Sequence, residues 1–560
     1  MYRRTLTLGQ DKLVLRCHFN DKDTAKEVPG WFWNKAHRTW DYPLQPDVLE
    51  QLQALFPNLE VDPSAVQRLK LVTEKMNAIA KAKADGWESA EPVKPMPIKA
   101  TPFQHQVLGY NIALQLNHSA MLMEQGCGKT LTTLAAAGRR FLDGEINRVL
   151  VVAPASVVPV WPMEFEAYAG FPFQVAALDM RQVDKRIEFL MNWPADPNFL
   201  QVAVINYEAT WRMEEALVRW KPDMIISDES QRIKTPSARQ SKTMHRLAKR
   251  VKYRMILTGT PVTQNPLDFF SQYKFLDSGI FGNNYSIFRS RYAVMGGFEK
   301  RQVVGFKNLP ELVQKAHSIA FRVTKEEALD LPEFTDQTLY CYLDPGAAKL
   351  YEQMAVESVM QLEAGTVTAQ NVLTQLLRLS QLSGGFAGDA DTGGAEQVSI
   401  AKFKLLKETV EDLFDAGKKV VIFARFIPEI KLIEEWLQSS SIDYGIIYGA
   451  IPKSERGEQV KKFQTDPKCR AFIAQIQTAG LGITLTAADT EIYYSLDFSF
   501  ANYDQCRARI HRIGQKNTCT YIHLLTKGTV DEKIMKALKQ KRDVATLVVD
   551  DWRSLFEMGE

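Results

Sequence analysis

Short apolar runs rich in β-branched residues recur along this chain in two blocks, at 120–123, 149–152, 202–206, 224–227 and 255–258, then at 420–424, 446–448, 471–476 and 492–496. Helix-length amphipathic stretches separate them. A run with no polar alternation suits a strand buried on both faces, and strands joined through helices pair in parallel. The pattern predicts an α/β fold with two lobes, each built on a parallel sheet. Between the lobes, at about 280–400, the chain turns helical and charged, and it ends in a Gly-rich stretch at 383–394 that reads as a flexible loop. A proline-punctuated stretch at 86–97 predicts an extended linker, with a boundary near Ile98. No repeat of solenoid period is present.

At 560 residues, with 45% hydrophobic and 24% charged content, the chain has room for several cores and little in common with disordered, collagen-like or coiled-coil sequences. Lys and Arg number 69 against 66 Asp and Glu, a net charge of +3, so any nucleic-acid contact must come from local patches. The six cysteines form no CxxC pair, which points away from a zinc module or disulfide framework and toward reduced thiols. The first residues lack the apolar core of a signal peptide, and the most apolar stretch, 149–160, is broken by Pro154 and Pro159, so no membrane span is expected. A cytoplasmic setting is expected, and the compact size would suit a bacterium or virus-infected cell, with association to the nucleoid.

The sharpest local signal is Gly126-Cys127-Gly128-Lys129-Thr130, between a strand-like run and a helix-like one. Glycines let backbone N–H groups approach phosphate oxygens at a helix N-terminus, Lys129 can reach the β- and γ-phosphates, and the Thr130 hydroxyl can ligate magnesium. Met123 stands where the full phosphate-loop pattern has its first glycine. A second apolar run ends in Asp228-Glu229-Ser230-Gln231, where Asp228 would hold Mg2+ and Glu229 would polarise the attacking water. Far downstream, Gln505, Arg509 and Arg512 share one face if the segment is helical, so that two guanidiniums would point toward ATP from the second lobe.

In this order the motifs resemble those of the Swi/Snf family of ATP-dependent DNA translocases in helicase superfamily two, over about 98–545. Pro102-Phe103-Gln104 is similar to the family's adenine-reading segment, Gly126 to Thr130 to motif I, and Val151 to Ser156 with Trp161 to motif Ia. Asp228 to Gln231 resembles motif II, Leu257 to Pro261 with Asn265 motif III, and Val421 to Phe426 motif IV. Thr478 to Thr486 resembles motif V, and Arg509 with His511 to Gln515 motif VI. Motif II departs from the family by ending in Ser-Gln instead of Ala-His. Arg322, Thr324, Lys325 and Leu331-Pro332 are similar to the family's protrusions and linker.

The resemblance implies two RecA-like lobes with helical insertions, ATP and Mg2+ as cofactors, and tracking along double-stranded DNA. It makes Lys129, Asp228, Glu229, Arg509 and Arg512 catalytic, with Gln104, Gly126, Cys127, Gly128, Lys129, Thr130 and Gln505 holding the nucleotide. Ser156, Asn206, Arg425, Thr478 and Thr484 are the candidate phosphate contacts on DNA, or else turn-forming polar residues. A strand-separating helicase and a nucleotide-gated binding module with little turnover are the competing readings. A monomer is expected, with no membrane partner.

Near the N-terminus, three of the ten tryptophans, Trp31, Trp33 and Trp40, fall within ten positions around a polar turn, which suggests a β-hairpin. Its rings either form a small aromatic core or, with Lys35 and Arg38, meet bases and phosphates. The run resembles the HARP module of annealing, fork-remodelling members of the same family. The expected organisation is thus a HARP-like module at 1–60, a linker at 61–97, lobe 1 at 98–280, helical protrusions and linker at 281–400, lobe 2 at 401–545 and a tail at 546–560.

Overall fold

Parallel strand pairing dominates both halves of the computed structural model, which divides into two units at residues 328 and 329. It describes residues 3–9, 12–28, 30–262, 265–296, 302–328, 331–364, 369–388, 395–481, 483–512 and 514–540. The tail expected at 546–560 and half of the Gly-rich stretch, 389–394, lie outside the described residues.

The N-terminal part of the first unit is a five-stranded sheet in the order Phe32–Asn34, Thr39–Pro43, Lys12–Arg16, Arg4–Leu8, Leu59–Val61. The expected hairpin is present, with Trp33 opposite Trp40 in an antiparallel pair. Trp40 is buried, and the half-buried Trp31 and Trp33 rings pack on it at 5.2 and 4.8 Å between centroids. The core is completed by Leu6, Leu13, Leu15, Val48, Leu52 and Phe56, so most of the aromatic content serves packing.

Helix Pro63–Ala84 occupies most of the stretch expected as a linker at 61–97. Asp62 caps it by accepting from Ser64 N at 2.9 Å, Pro63 suits its first turn, and no glycine or further proline interrupts it before Gly86. Beyond it the proline-rich stretch is extended and pinned: Asn111 accepts from Val93 N at 2.9 Å and donates to Glu91 O at 2.8 Å.

The rest of the first unit is a seven-stranded parallel sheet, ordered Ala320–Val323, His118–Met123, Tyr253–Leu257, Met224–Asp228, Arg148–Ala153, Leu200–Asn206, Phe173–Ala177. All five apolar runs of the first block fall on its strands. The second unit carries a six-stranded parallel sheet, ordered Phe334–Cys341, Cys519–Thr526, Thr490–Tyr493, Val420–Ala424, Cys469–Gln475, Asp443–Ile447. Six described strands arise within the stretch expected to be helical at 281–400: Ala293–Gly296 pairs with Gln302–Phe306 and Phe386–Ala387 with Glu396–Gln397 in two-stranded sheets, while Ala320–Val323 joins the first sheet and Phe334–Cys341 the second. The latter lies at a sheet edge with its first four residues exposed, which explains why no apolar run announced it. No helix among the described residues is long and apolar enough to cross a membrane.

Candidate nucleotide site

Strand His118–Met123 delivers the chain to the loop, and helix Lys129–Leu142 receives it. Gly126 (φ +91°) and Gly128 (φ +84°) occupy the left-handed region that the turn requires. A Cβ on Gly128 would lie 2.1 Å from Gln106 Nε2, so the position is closed to side chains. The buried Cys127 carbonyl accepts from His105 Nε2 at 2.9 Å and from Gln106 Nε2 at 3.2 Å. Burial pushes His105 below its ordinary pKa and keeps it neutral, with one N–H to give. Helix Gln104–Gln115 thus braces the loop from behind, through Gln106 and His105. Gln104 itself is exposed at the start of that helix, and Gln106 is the residue that motif reading overlooked. Its local mark is the helix-start bond from Phe103 N to Gln106 Oε1 at 3.1 Å.

The first-turn N–H groups after Gly128 have no partners within the helix and form an anion seat. Lys129 Nζ donates to Met123 O at 3.0 Å, and Thr130 sits half-buried beside it.

Asp228 ends strand Met224–Asp228, separated from the loop strand by Tyr253–Leu257 alone. Its buried carboxyl accepts from Trp161 Nε1 at 3.1 Å and from Glu229 N at 3.0 Å, while Tyr207 O–H donates to its carbonyl at 2.6 Å. Burial, and next the charge of Glu229, push Asp228 well above the usual carboxylate range, and the charge of Lys129 opposes them. A buried carboxylate in need of positive charge, with a hydroxyl at Thr130, is a hard-oxygen donor set that fits magnesium. Such an ion takes only one or two protein ligands when phosphates and water supply the rest. No cluster of three or more His, Cys, Asp or Glu that could hold a metal ion occurs among the described residues.

Glu229 itself has φ +50°, an uncommon conformation for a residue with a side chain. Gln231 Nε2 donates to Glu229 Oε2 at 2.7 Å, and Gln231 Oε1 accepts from Thr258 Oγ1 at 2.9 Å. Thr258 in turn accepts from Thr260 N at 3.0 Å. Ser230 Oγ donates to Gln272 Oε1 at 2.7 Å, and Gln272 Nε2 donates to Pro261 O at 2.7 Å. The Ser-Gln ending therefore ties the acid pair to the 257–261 segment by two routes.

In the second unit, helix Phe500–Arg507 ends before the two candidate arginines. Gln505 lies on it, but Arg509 and Arg512 follow its cap, so the single helical face expected for the three does not exist. The buried Gln515 amide is the reason: Nε2 donates to Ala488 O at 2.8 Å and Ile510 O at 3.3 Å, holding the segment in turns, and Gly514 adopts φ +100°. The guanidiniums converge by another route. Arg509 Nη1 and Arg512 Nη1 both donate to Ile483 O, at 3.4 and 3.3 Å. Arg507 is committed elsewhere, paired with Asp336 at 2.8 and 3.1 Å and stacked on Tyr521.

Residues 103–383 match the SNF2-related domain, and residues 401–514 the helicase conserved C-terminal domain. The chain belongs to the SNF2-related family. It carries the two-part ATPase core of superfamily two. Among curated SNF2 relatives, an uncharacterized ATP-dependent helicase of Mycoplasma pneumoniae is 26% identical over 442 residues, 78% of this chain and 40% of that protein. The RAD54-like DNA repair and recombination protein of Gallus gallus is 27% identical over 485 residues, 79% of this chain and 66% of that protein. The chain therefore spans about two fifths to two thirds of the length of these relatives. A solved Sulfolobus solfataricus SWI2/SNF2 ATPase core in complex with dsDNA aligns at 25% identity and a TM-score of 0.39, covering 84% of this chain and 100% of that one.

Of the DNA contacts that SNF2 resemblance suggests, Ser156 and Asn206 lie on the edge of the first sheet that also carries Asp228. Ala153 pairs with Asn206 at the strand ends, and Ser156 follows in a turn. Asn206 is oriented by Arg186 Nη1, which donates to its Oδ1 at 2.9 Å, and it donates to Glu208 Oε2 at 2.7 Å. In the second unit, Arg425 is held back: it lies 3.8 Å from Asp497, 4.0 Å from the Phe498 ring centroid and donates to Leu496 O at 3.4 Å. Thr478 Oγ1 donates to Gln475 O at 2.6 Å, and Thr484 stands half-buried beside Ile483. Lys35 and Arg38 are exposed in the hairpin turn, Arg38 at φ +49°.

Proposed function

We propose that the chain is a DNA-dependent ATPase that moves along double-stranded DNA, acting on forked or branched substrates or on bound proteins. The observation that carries this reading is the chain of hydrogen bonds from Glu229 through Gln231 to Thr258, set beside the phosphate loop. A nucleotide-binding switch has no need to orient such a carboxylate, whereas hydrolysis does. The match to an SNF2-related domain and the RAD54-like relative's name as a DNA repair and recombination protein support DNA as the partner.

In this reading Lys129 leaves the Met123 carbonyl to hold β- and γ-phosphate oxygens, and the helix N-terminus binds the same phosphates. Bound magnesium would supply charge neutralisation between those oxygens. Glu229, fixed by Gln231, orients water at the γ-phosphorus and takes its proton as the bond to the β-phosphate oxygen breaks. We assign Arg509 and Arg512 to the charge that develops on the transferring phosphoryl. Lys35 and Arg38 are assigned to selection of forks, through phosphates near exposed bases.

Steady-state ATPase without DNA and with single strand, linear duplex or fork, each beside Lys129→Ala, tests the reading. Duplex or fork stimulation that the substitution abolishes is expected. Turnover indifferent to DNA overturns it. Separation of a tailed duplex would favour a strand-separating helicase instead. A Lys35→Ala/Arg38→Ala variant is expected to lower the ratio of fork to linear stimulation.

A further inference from the structure

Strand Val420–Ala424 of the second unit runs into Arg425, and helix Ile427–Ser439 begins just beyond it with Glu429 in its first turn. A glutamate there caps its helix by accepting from the backbone, and such a side chain is ordinarily at the surface, yet Glu429 is 1% exposed. Its Oε2 accepts from Phe426 N at 3.2 Å and from Ser495 Oγ at 2.6 Å. The Ser495 hydroxyl that donates there accepts in turn from Arg425 N at 2.8 Å. Two hydrogen bonds therefore join the carboxyl to the backbone of a residue assigned to DNA. Glu429 Oε1 has no hydrogen-bond partner among the described residues, and Gly384 closes over it, since a Cβ there would lie 2.1 Å away. Tyr494, next to Ser495 in the chain, donates its hydroxyl to Gly384 O at 2.9 Å and holds that cover in place.

We propose that Glu429 is a positioning residue for DNA engagement: its charged form draws Arg425 back into the unit, and its protonated form releases Arg425 to a phosphate. The inference rests on the DNA reading above. Two interactions carry the state of the carboxyl to Arg425. A hydroxyl donates more strongly to a carboxylate than to a neutral acid, so charge on Glu429 tightens the Ser495 bridge to Arg425 N. The same charge attracts the guanidinium, which lies 3.8 Å from Asp497 and 4.0 Å from the Phe498 ring centroid. Burial disfavours the charge of Arg425, and Asp497 and Glu429 oppose that effect.

Glu429 changes state near neutrality, because burial raises it to about 7. The bond from Ser495, the charge of Lys402 on helix Ala401–Asp415 and the bond from Phe426 N pull it down, while Asp531 on helix Val530–Lys539 pushes it up. From the strand ends, Arg425 and Tyr494 also interact with it. When Arg425 leaves for a phosphate, an attraction that favours the charged carboxyl is lost, so DNA binding takes up a proton at Glu429.

The duplex concentration for half-maximal ATPase stimulation, followed at fixed salt between about pH 6 and 8.5, tests the assignment. In the wild type it should rise as pH climbs through about 7, by about fivefold, the low end for coupled sites. Glu429→Gln, neutral throughout, should hold the low-pH value at every pH and keep its DNA-independent ATPase. Ser495→Ala removes a bond that lowers Glu429, so the rise should move to higher pH, a displacement that a packing role does not produce. Arg425→Ala should weaken stimulation and abolish the rise. A flat wild-type profile, a rise that Glu429→Gln retains, or a rise that Ser495→Ala leaves in place overturns the assignment, and DNA stimulation itself keeps the motor reading standing. Should Glu429→Gln fail to fold, the wild-type and Ser495→Ala profiles decide. ATPase that ignores DNA at every pH overturns both readings, with the motor reading failing first.

Discussion

Trp161 Nε1 lies 3.1 Å from Asp228 Oδ2, and the indole is almost fully buried. It belongs to helix Val160–Tyr168, which follows the turn that carries Ser156. The segment proposed to meet DNA is thus bonded to the acid proposed to hold the metal. Trp161→Phe keeps the ring and removes the N–H. A hydrogen bond to a charged group is worth about 1.5–3 kcal/mol, so DNA-stimulated turnover should fall at least about tenfold. Melting temperature should fall by a few degrees, and positioning, as opposed to packing, is checked by turnover measured well below the transition, where the loss should persist.

Gln231 acts through Glu229 and Thr258, with no proposed contact to the nucleotide, so its role should appear in kcat and leave KM for ATP unchanged. Gln231→Ala frees Glu229 from its 2.7 Å donor and severs the link to Thr258. Loss of roughly tenfold or more in kcat is expected for a displaced general base. Steady-state kinetics at saturating DNA separates the two constants.

Gly128→Ala combines a left-handed backbone with a Cβ 2.1 Å from Gln106 Nε2. The loop must shift, and its bonds from Gln106 and His105 to the Cys127 carbonyl with it. Thermal stabilisation by ATP, expected in the wild type, should be lost.

In the second unit, Lys402 Nζ meets Asp531 Oδ2 at 2.5 Å with both side chains 2% exposed. Asp531 also accepts from Ser383 Oγ at 2.6 Å and Thr526 N at 3.1 Å. Lys402→Met leaves that carboxylate buried beside apolar atoms and should destabilise the unit by about 3–5 kcal/mol in denaturant titration. Lys402→Met/Asp531→Asn should recover part of the loss.

His245 gives the first unit an acid-labile point. Burial, reinforced by Lys274, Lys249 and Arg246 and opposed by the bond to Ser271 O, lowers it to about 4. The unfolded residue titrates near 6.5, so its contribution is complete above that value and is lost as pH falls through about 4. Each tenfold change in proton affinity is worth about 1.4 kcal/mol. Melting temperature followed from pH 7.5 downward should drop through this window, and His245→Gln should flatten the drop.

The phosphate loop and the acid pair were legible because each is contiguous in sequence and ends an apolar strand. Gln106 and Trp161 were not given these roles, since their bonds span 21 and 67 residues of chain. The helix expected for Gln505 to Arg512 failed at Gln515, whose amide reaches carbonyls that only the folded unit brings near. Central strands such as Val420–Ala424, buried throughout, matched their apolar runs. Phe334–Cys341 escaped notice because a half-exposed edge strand keeps polar residues such as Thr335 and Asp336.

The sheet orders carry a consequence for synthesis. In the second unit the first strand made, Phe334–Cys341, pairs only with the last, Cys519–Thr526. In the first, His118–Met123 waits for Ala320–Val323 to cover one side. As each unit emerges from a ribosome, an early strand edge stays open until the unit is almost entirely translated. Such edges invite pairing with other nascent chains, so this protein should depend on chaperone cover, or on slow and dilute expression, more than its final packing suggests.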